Sequence, residues 1–140
     1  MFWFGLLIAV VGLGTAALDW YPLGLGKPEW EFGVMAMTIA GLPLPTMGLA
    51  AMLAAVIAQG RRRGVLSMAW VFLLLTLAVL AIYGLFLLVV PIALRGQGQV
   101  ANLVVKKTIA KTSLMALGFS AAYICAAVAA FRHVRNHPRR

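Results

Sequence analysis

Four long apolar runs separated by short polar segments leave this 140-residue chain few ways to fold. A helix that crosses a bilayer needs about 20 mostly apolar residues to span a hydrocarbon core about 30 Å thick. Runs at 2–18, 42–59, 65–94 and 108–131 meet or approach that length and leave little chain for a soluble domain. The expected fold is therefore all-α: one integral membrane domain built as a bundle of four transmembrane helices. Charged residues make up only 11% of the chain, well below the roughly 25% of a soluble domain.

The few charges are lopsided, with 12 Lys and Arg against 3 Asp and Glu, a formal +9. In a soluble protein that imbalance points to nucleic acid. Here the positive residues sit at the ends of apolar runs, where membrane topology places them, so no nucleic acid is expected as a partner. The single cysteine, Cys125, excludes an internal disulfide, a CxxC redox pair and a multi-cysteine metal site.

The first run carries no Lys or Arg before Lys27 and stays apolar to Leu18. It lacks the charged start of a secretory signal and is read as a retained span. Asp19, Trp20, Tyr21 and Pro22 close it with an acid, two interfacial aromatics and a helix breaker. The following segment holds Glu29 and Glu31, and with Asp19 these are the only acids of the chain.

Residues 32–58 form an apolar stretch interrupted by Pro43 and Pro45. Either one kinked helix runs through both prolines, or a short helix starting at Pro28 lies at the extracytoplasmic interface and the second span begins near Leu42. The second arrangement is expected. Pro28 suits a first helical turn, Glu29 and Glu31 suit the positive end of its dipole, and Pro43 and Pro45 lose little at a helix start. The outer loops are then 19–41 and 95–107, with a helical pattern resuming from Val100, and 132–140 is a basic tail.

Counting Lys and Arg beside the spans gives the orientation. With both termini cytoplasmic, the inner segments hold Arg61, Arg62, Arg63, Arg132, Arg135, Arg139 and Arg140, and the outer ones Lys27, Arg95, Lys106, Lys107 and Lys111. Seven against five favours a multi-pass protein of the bacterial inner membrane with N- and C-termini inside. Arg61, Arg62, Arg63, Arg132 and Arg135 are expected to anchor to lipid headgroups. On the outer side, Glu29 or Glu31 is expected to face Lys106 or Lys107.

Ionisable residues at membrane depth mark most proton relays and coupled carriers, and the centres of these four runs hold none. His133 and His137 share a helical spacing but lie in the basic tail without a cysteine or acid beside them, so they read as solvated. No catalytic residue, cofactor or metal ligand is expected, and the chain is not read as an enzyme. Small residues recur every four positions, at Ala50, Ala54 and Ala58 and at Gly118, Ala122, Ala126 and Ala130. Such stripes let helix backbones approach closely, either within the chain or between copies.

The stretch Pro28-Glu29-Trp30-Glu31-Phe32 followed by Leu42-Pro43-Leu44-Pro45-Thr46-Met47-Gly48-Leu49 resembles small polytopic membrane proteins associated with hormogonium polysaccharide production in cyanobacteria. The resemblance spans residues 28–49. It implies an accessory role in envelope polysaccharide export and supplies no catalytic residues. The expected function is a non-enzymatic accessory or scaffold subunit of a bacterial envelope membrane complex. Its partners would be membrane lipid and other membrane subunits, or further copies of itself. The expected interaction surface comprises Trp20, Glu29, Trp30, Glu31, Lys106, Lys107 and Lys111. A small oligomeric channel or uncoupled transporter is the alternative.

Overall fold

A computed structural model describes residues 1–21, 27–93 and 99–136. Every element among them is an α-helix: α1 (Phe2–Asp19), α2 (Pro28–Gly41), α3 (Pro43–Ala58), α4 (Arg62–Ala93) and α5 (Gln99–Asn136). Among the described residues four stretches are long and apolar enough to cross a membrane: Phe2–Asp19, Trp30–Ala58, Arg62–Ile92 and Leu103–Asn136.

The second of these stretches joins α2 to α3. Leu42 between them keeps helical dihedrals (φ −56°, ψ −29°), so one turn residue in helical conformation separates the two helices. The interruption has a plain cause. Pro43 and Pro45 bring no N–H to the carbonyls one turn back, and the Leu42 N–H turns to Ile39 O at 3.3 Å in a tighter turn. Pro28 and Pro43 each sit in the first turn of a helix, where a missing donor costs little. Val34, Met35 and Ile39 of α2 are buried, and Ile39 belongs to the same core as Ala9, Leu49 and Phe72.

The bundle consists of two helix pairs, α1 with α3 and α4 with α5, with α2 packed against α4, α1 and α5. The α1–α3 pair is close because small residues meet there. A Cβ placed on Gly48 would lie 2.5 Å from both the Ala9 nitrogen and the Gly5 oxygen, and one on Gly12 would lie 2.5 Å from Pro45 Cδ. Only glycine permits that separation. Gly5 meets Gly48 and Met52 while Gly12 meets Pro45, so the two helices run antiparallel.

The α4–α5 pair is filled by larger groups. Phe72, Val79, Ala116, Tyr123 and Ala127 form its centre, and Val65, Ala69, Ala130 and Val134 continue the seam toward one end. Phe72 and Phe119 flank the Tyr123 ring, with centroids 5.8 and 6.1 Å from it. Polar side chains within the bundle are mostly satisfied by their own helix. Thr38, Thr46 and Thr76 donate to the carbonyls of Val34, Leu42 and Phe72, four residues back. Ser120 is the exception: its Oγ is buried with no hydrogen-bond partner among the described residues.

Candidate functional site

The helices gather chemistry-bearing side chains at the two ends of the bundle. At one end Phe2 lies beside Gln59 and Arg61, and His133 lies beside Arg62, so the first residues of α1, the α3–α4 turn and the end of α5 share a side. The other end holds Trp20, Trp30 and Glu31.

At the Trp20 end, the C-cap of α1 carries an indole fixed from two sides. Its Nε1–H donates to Thr38 Oγ1 at 3.1 Å, and Thr38 passes its own proton to Val34 O at 2.8 Å. Trp30 meets the Trp20 ring edge-on, with centroids 6.1 Å apart. The two rings, with Glu31, Val34 and Met35 of α2 and Leu85, Leu88 and Val89 of α4, enclose a cavity of about 310 Å³. Its lining residues are apolar or aromatic apart from Glu31. Behind it, Phe32 stacks on Phe86, which is fully buried and stacks in turn with Tyr83.

The lysines expected to share this surface lie on α5. Lys106, Lys107 and Lys111 are exposed. Lys111 borders a cavity of about 180 Å³ with Thr108, Thr112 and Met115, facing Ala36, Met37 and Ala40 of α2. Glu31 lines the cavity shared with α4. Trp20, Trp30 and Glu31 are thus brought together, and Lys111 sits against a different face of α2. The Glu29 side chain lies outside the described residues.

At the opposite end, Gly60 adopts the left-handed conformation (φ +64°) that ends α3, a geometry that favours glycine. Arg61, Arg62 and Arg63 follow and are exposed, as are Arg132 and Arg135 of α5. His133 is half-buried beside Arg62, and His137 lies outside the described residues.

The small-residue stripes form only part of the contacts within the chain that their spacing suggests. Ala50, Ala54, Gly118 and Ala122 are exposed, and a Cβ on Gly118 would meet nothing within 4 Å. Ala126 is half-buried against the core and Ala130 fully buried. The reason is rotation. Four residues advance a helix about 40° beyond one turn, so the row from Gly118 to Ala130 drifts off the outer face and into the bundle. The close approach is made instead by Gly5, Gly12 and Gly48. The spacing of Gly5, Ala9 and Gly12 was the available signal.

No protein family, curated protein or solved structure matches the chain.

Proposed function

We propose that the chain is a non-enzymatic accessory or scaffold subunit of a bacterial envelope membrane complex, held in the inner membrane with both termini cytoplasmic. The observation that carries the reading is the excess length of α4 and α5. At 1.5 Å per residue, their 32 and 38 residues extend about 48 and about 57 Å, against a hydrocarbon core of about 30 Å. The basic turn at Arg61–Arg63 and the Arg132–Arg135 segment hold the inner end at the headgroups, so the surplus lies on the outer side. There Leu85, Leu88, Ile92, Leu103 and Val104 remain exposed, beside Lys106 and Lys107. Large apolar side chains in this number, next to charge and past a hydrocarbon core of ordinary thickness, suit a protein partner. On this reading the interruption at Leu42 belongs to the outer leaflet and α2 forms part of the outer surface. The resemblance at residues 28–49 adds a link to polysaccharide export.

The test is purification in mild detergent followed by native mass spectrometry and by flux assays in liposomes. A stoichiometric membrane-protein partner, lost in the Leu88→Gln and Leu103→Gln double variant, with no solute flux, is the expected result. Flux from the purified chain alone would favour the second reading, a small oligomeric channel or uncoupled transporter. That reading draws on the exposed small-residue faces at Ala50, Ala54, Gly118 and Ala122, which this chain does not use for its own packing.

A further inference from the structure

The Gly60–Gly64 turn is flanked by two cavities of similar make-up. The first, about 430 Å³, opens between the start of α1 and the α3–α4 turn, with Phe2, Trp3 and Val56 as apolar wall and Gln59 and Arg61 as polar rim. The second, about 260 Å³, opens between the turn and the end of α5, with Ile57, Val65 and Val134 as wall and Arg62 and His133 as rim. Arg61 and Arg62 are neighbours in sequence, yet each borders a different cavity.

The turn is built to keep them apart. Gly60 supplies the left-handed residue. Gly64 lies against Val56, where an added Cβ would come within 2.5 Å of Val56 Cγ1. The Arg61 N–H is bonded to Val56 O at 3.3 Å and the Arg62 N–H to Gly60 O at 3.1 Å. The backbone that carries Arg61 and Arg62 is therefore fixed by hydrogen bonds and packing. Arg63 borders neither cavity and is exposed.

A cationic rim over an apolar wall selects an anionic amphiphile. A free phosphate has no use for the wall, and an uncharged chain has none for the arginines. The wall of the first cavity runs into the exposed Trp3, Phe4 and Leu7 of α1, which gives an acyl chain a continuous apolar path. We propose that Arg61 and Arg62 form a paired site for a phospholipid with two phosphodiesters, of the cardiolipin type, one phosphate at each guanidinium and its chains along the walls. Guanidinium forks bind phosphate in bidentate fashion, and joining two phosphates by a short linker makes the second contact intramolecular. The proposal rests on the membrane placement given under Proposed function.

The experiment offers the full chain, in nanodiscs, a two-phosphate lipid and phosphatidylglycerol at equal total charge, and counts retained lipid by native mass spectrometry. A preference of roughly tenfold for the two-phosphate lipid is expected. Arg61→Gln and Arg62→Gln each reduce it to about one, and Arg63→Gln keeps it. A basic turn acting only through net charge would show no preference in the unaltered protein, or an equal loss in all three variants, and either result overturns the proposal. Displacement of the lipid by millimolar inorganic phosphate would reassign the site to a soluble anion and overturn it too. Thermal midpoints of the variants confirm that they are folded. Carbonate extraction tests the membrane placement separately: release of the chain from membranes rejects that placement, whatever lipid the turn prefers.

Discussion

Tyr123 of α5 donates its hydroxyl proton to Thr46 Oγ1 of α3, with the oxygens 2.5 Å apart. The direction follows from Thr46, which has committed its own proton to Leu42 O at 2.6 Å. This bond links the two helix pairs immediately after Pro45, and Tyr123 is almost wholly buried around it.

The two ends of that bond respond unequally to substitution. Thr46→Val strands a buried phenolic hydroxyl and should cost about 1–3 kcal/mol, whereas Tyr123→Phe leaves Thr46 bonded to Leu42 and should cost about 1 kcal/mol or less. A double-mutant cycle on thermal or denaturant unfolding in detergent should give a coupling of about 0.6–1.7 kcal/mol. Equal losses for the two single variants would contradict the assigned donor.

Gly48→Leu should be among the most damaging single changes in the chain. The atoms a Cβ would strike are the Ala9 nitrogen and the Gly5 oxygen. Both are backbone, so no rotamer change relieves the clash, and the cost should reach or exceed about 3 kcal/mol. Gly118→Leu, where the added carbon meets open space, is the matched control. A lowered melting midpoint for Gly48→Leu alone is expected. A loss of oligomer without loss of stability in Gly118→Leu would identify the α5 face as a contact between copies.

Ser120→Ala should leave stability unchanged or raise it by up to about 1 kcal/mol, because the Ser120 hydroxyl is buried without a partner among the described residues. A loss of more than about 1 kcal/mol would mean that the hydroxyl holds an ordered water. Calorimetry of the two proteins in the same detergent distinguishes these outcomes.

Orientation is open to chemical labelling. Cys125 is exposed, so it is first replaced by alanine. In that background, Arg63→Cys and Lys107→Cys should react with a membrane-impermeant maleimide from opposite sides, Lys107→Cys in intact spheroplasts and Arg63→Cys only after the membrane is opened. Reaction of both from one side would rule out a bundle that traverses the bilayer.

Much of the architecture is legible in the residues. Apolar runs bounded by Gly, Pro and Arg locate the helices, and Pro28 and Pro43 open helices as a ring with no N–H should. Two features are not legible, for different reasons. The near-continuity at Leu42 is a balance between two missing hydrogen bonds and the burial of Val34, Met35 and Ile39, and that burial needs α4 in place. The helix contacts fail for a geometric reason: in an apolar helix small residues occur on several faces, and spacing alone does not identify which one meets a partner. At the candidate surface, the spacing and polarity of Trp20, Trp30 and Glu31 suggest an interface, but nothing local indicates that Leu85, Leu88 and Val89 complete their cavity. Tyr123 and Thr46, 77 residues apart, share no signal that sequence can carry.

The helices differ greatly in height, 18 residues for α1 against 32 and 38 for α4 and α5. Placed in a bilayer, such a molecule is a wedge. Lipids thin to meet α1 and stretch to meet the α4–α5 side, at a cost of a fraction of a kcal/mol for each Å of mismatch. The resulting strain is directional, and it relaxes when another tall protein takes the place of the stretched lipids. Elastic forces in the lipid would then gather neighbours on the α4–α5 flank and leave the α1 flank clear, setting the facing of any assembly before a single side chain is matched.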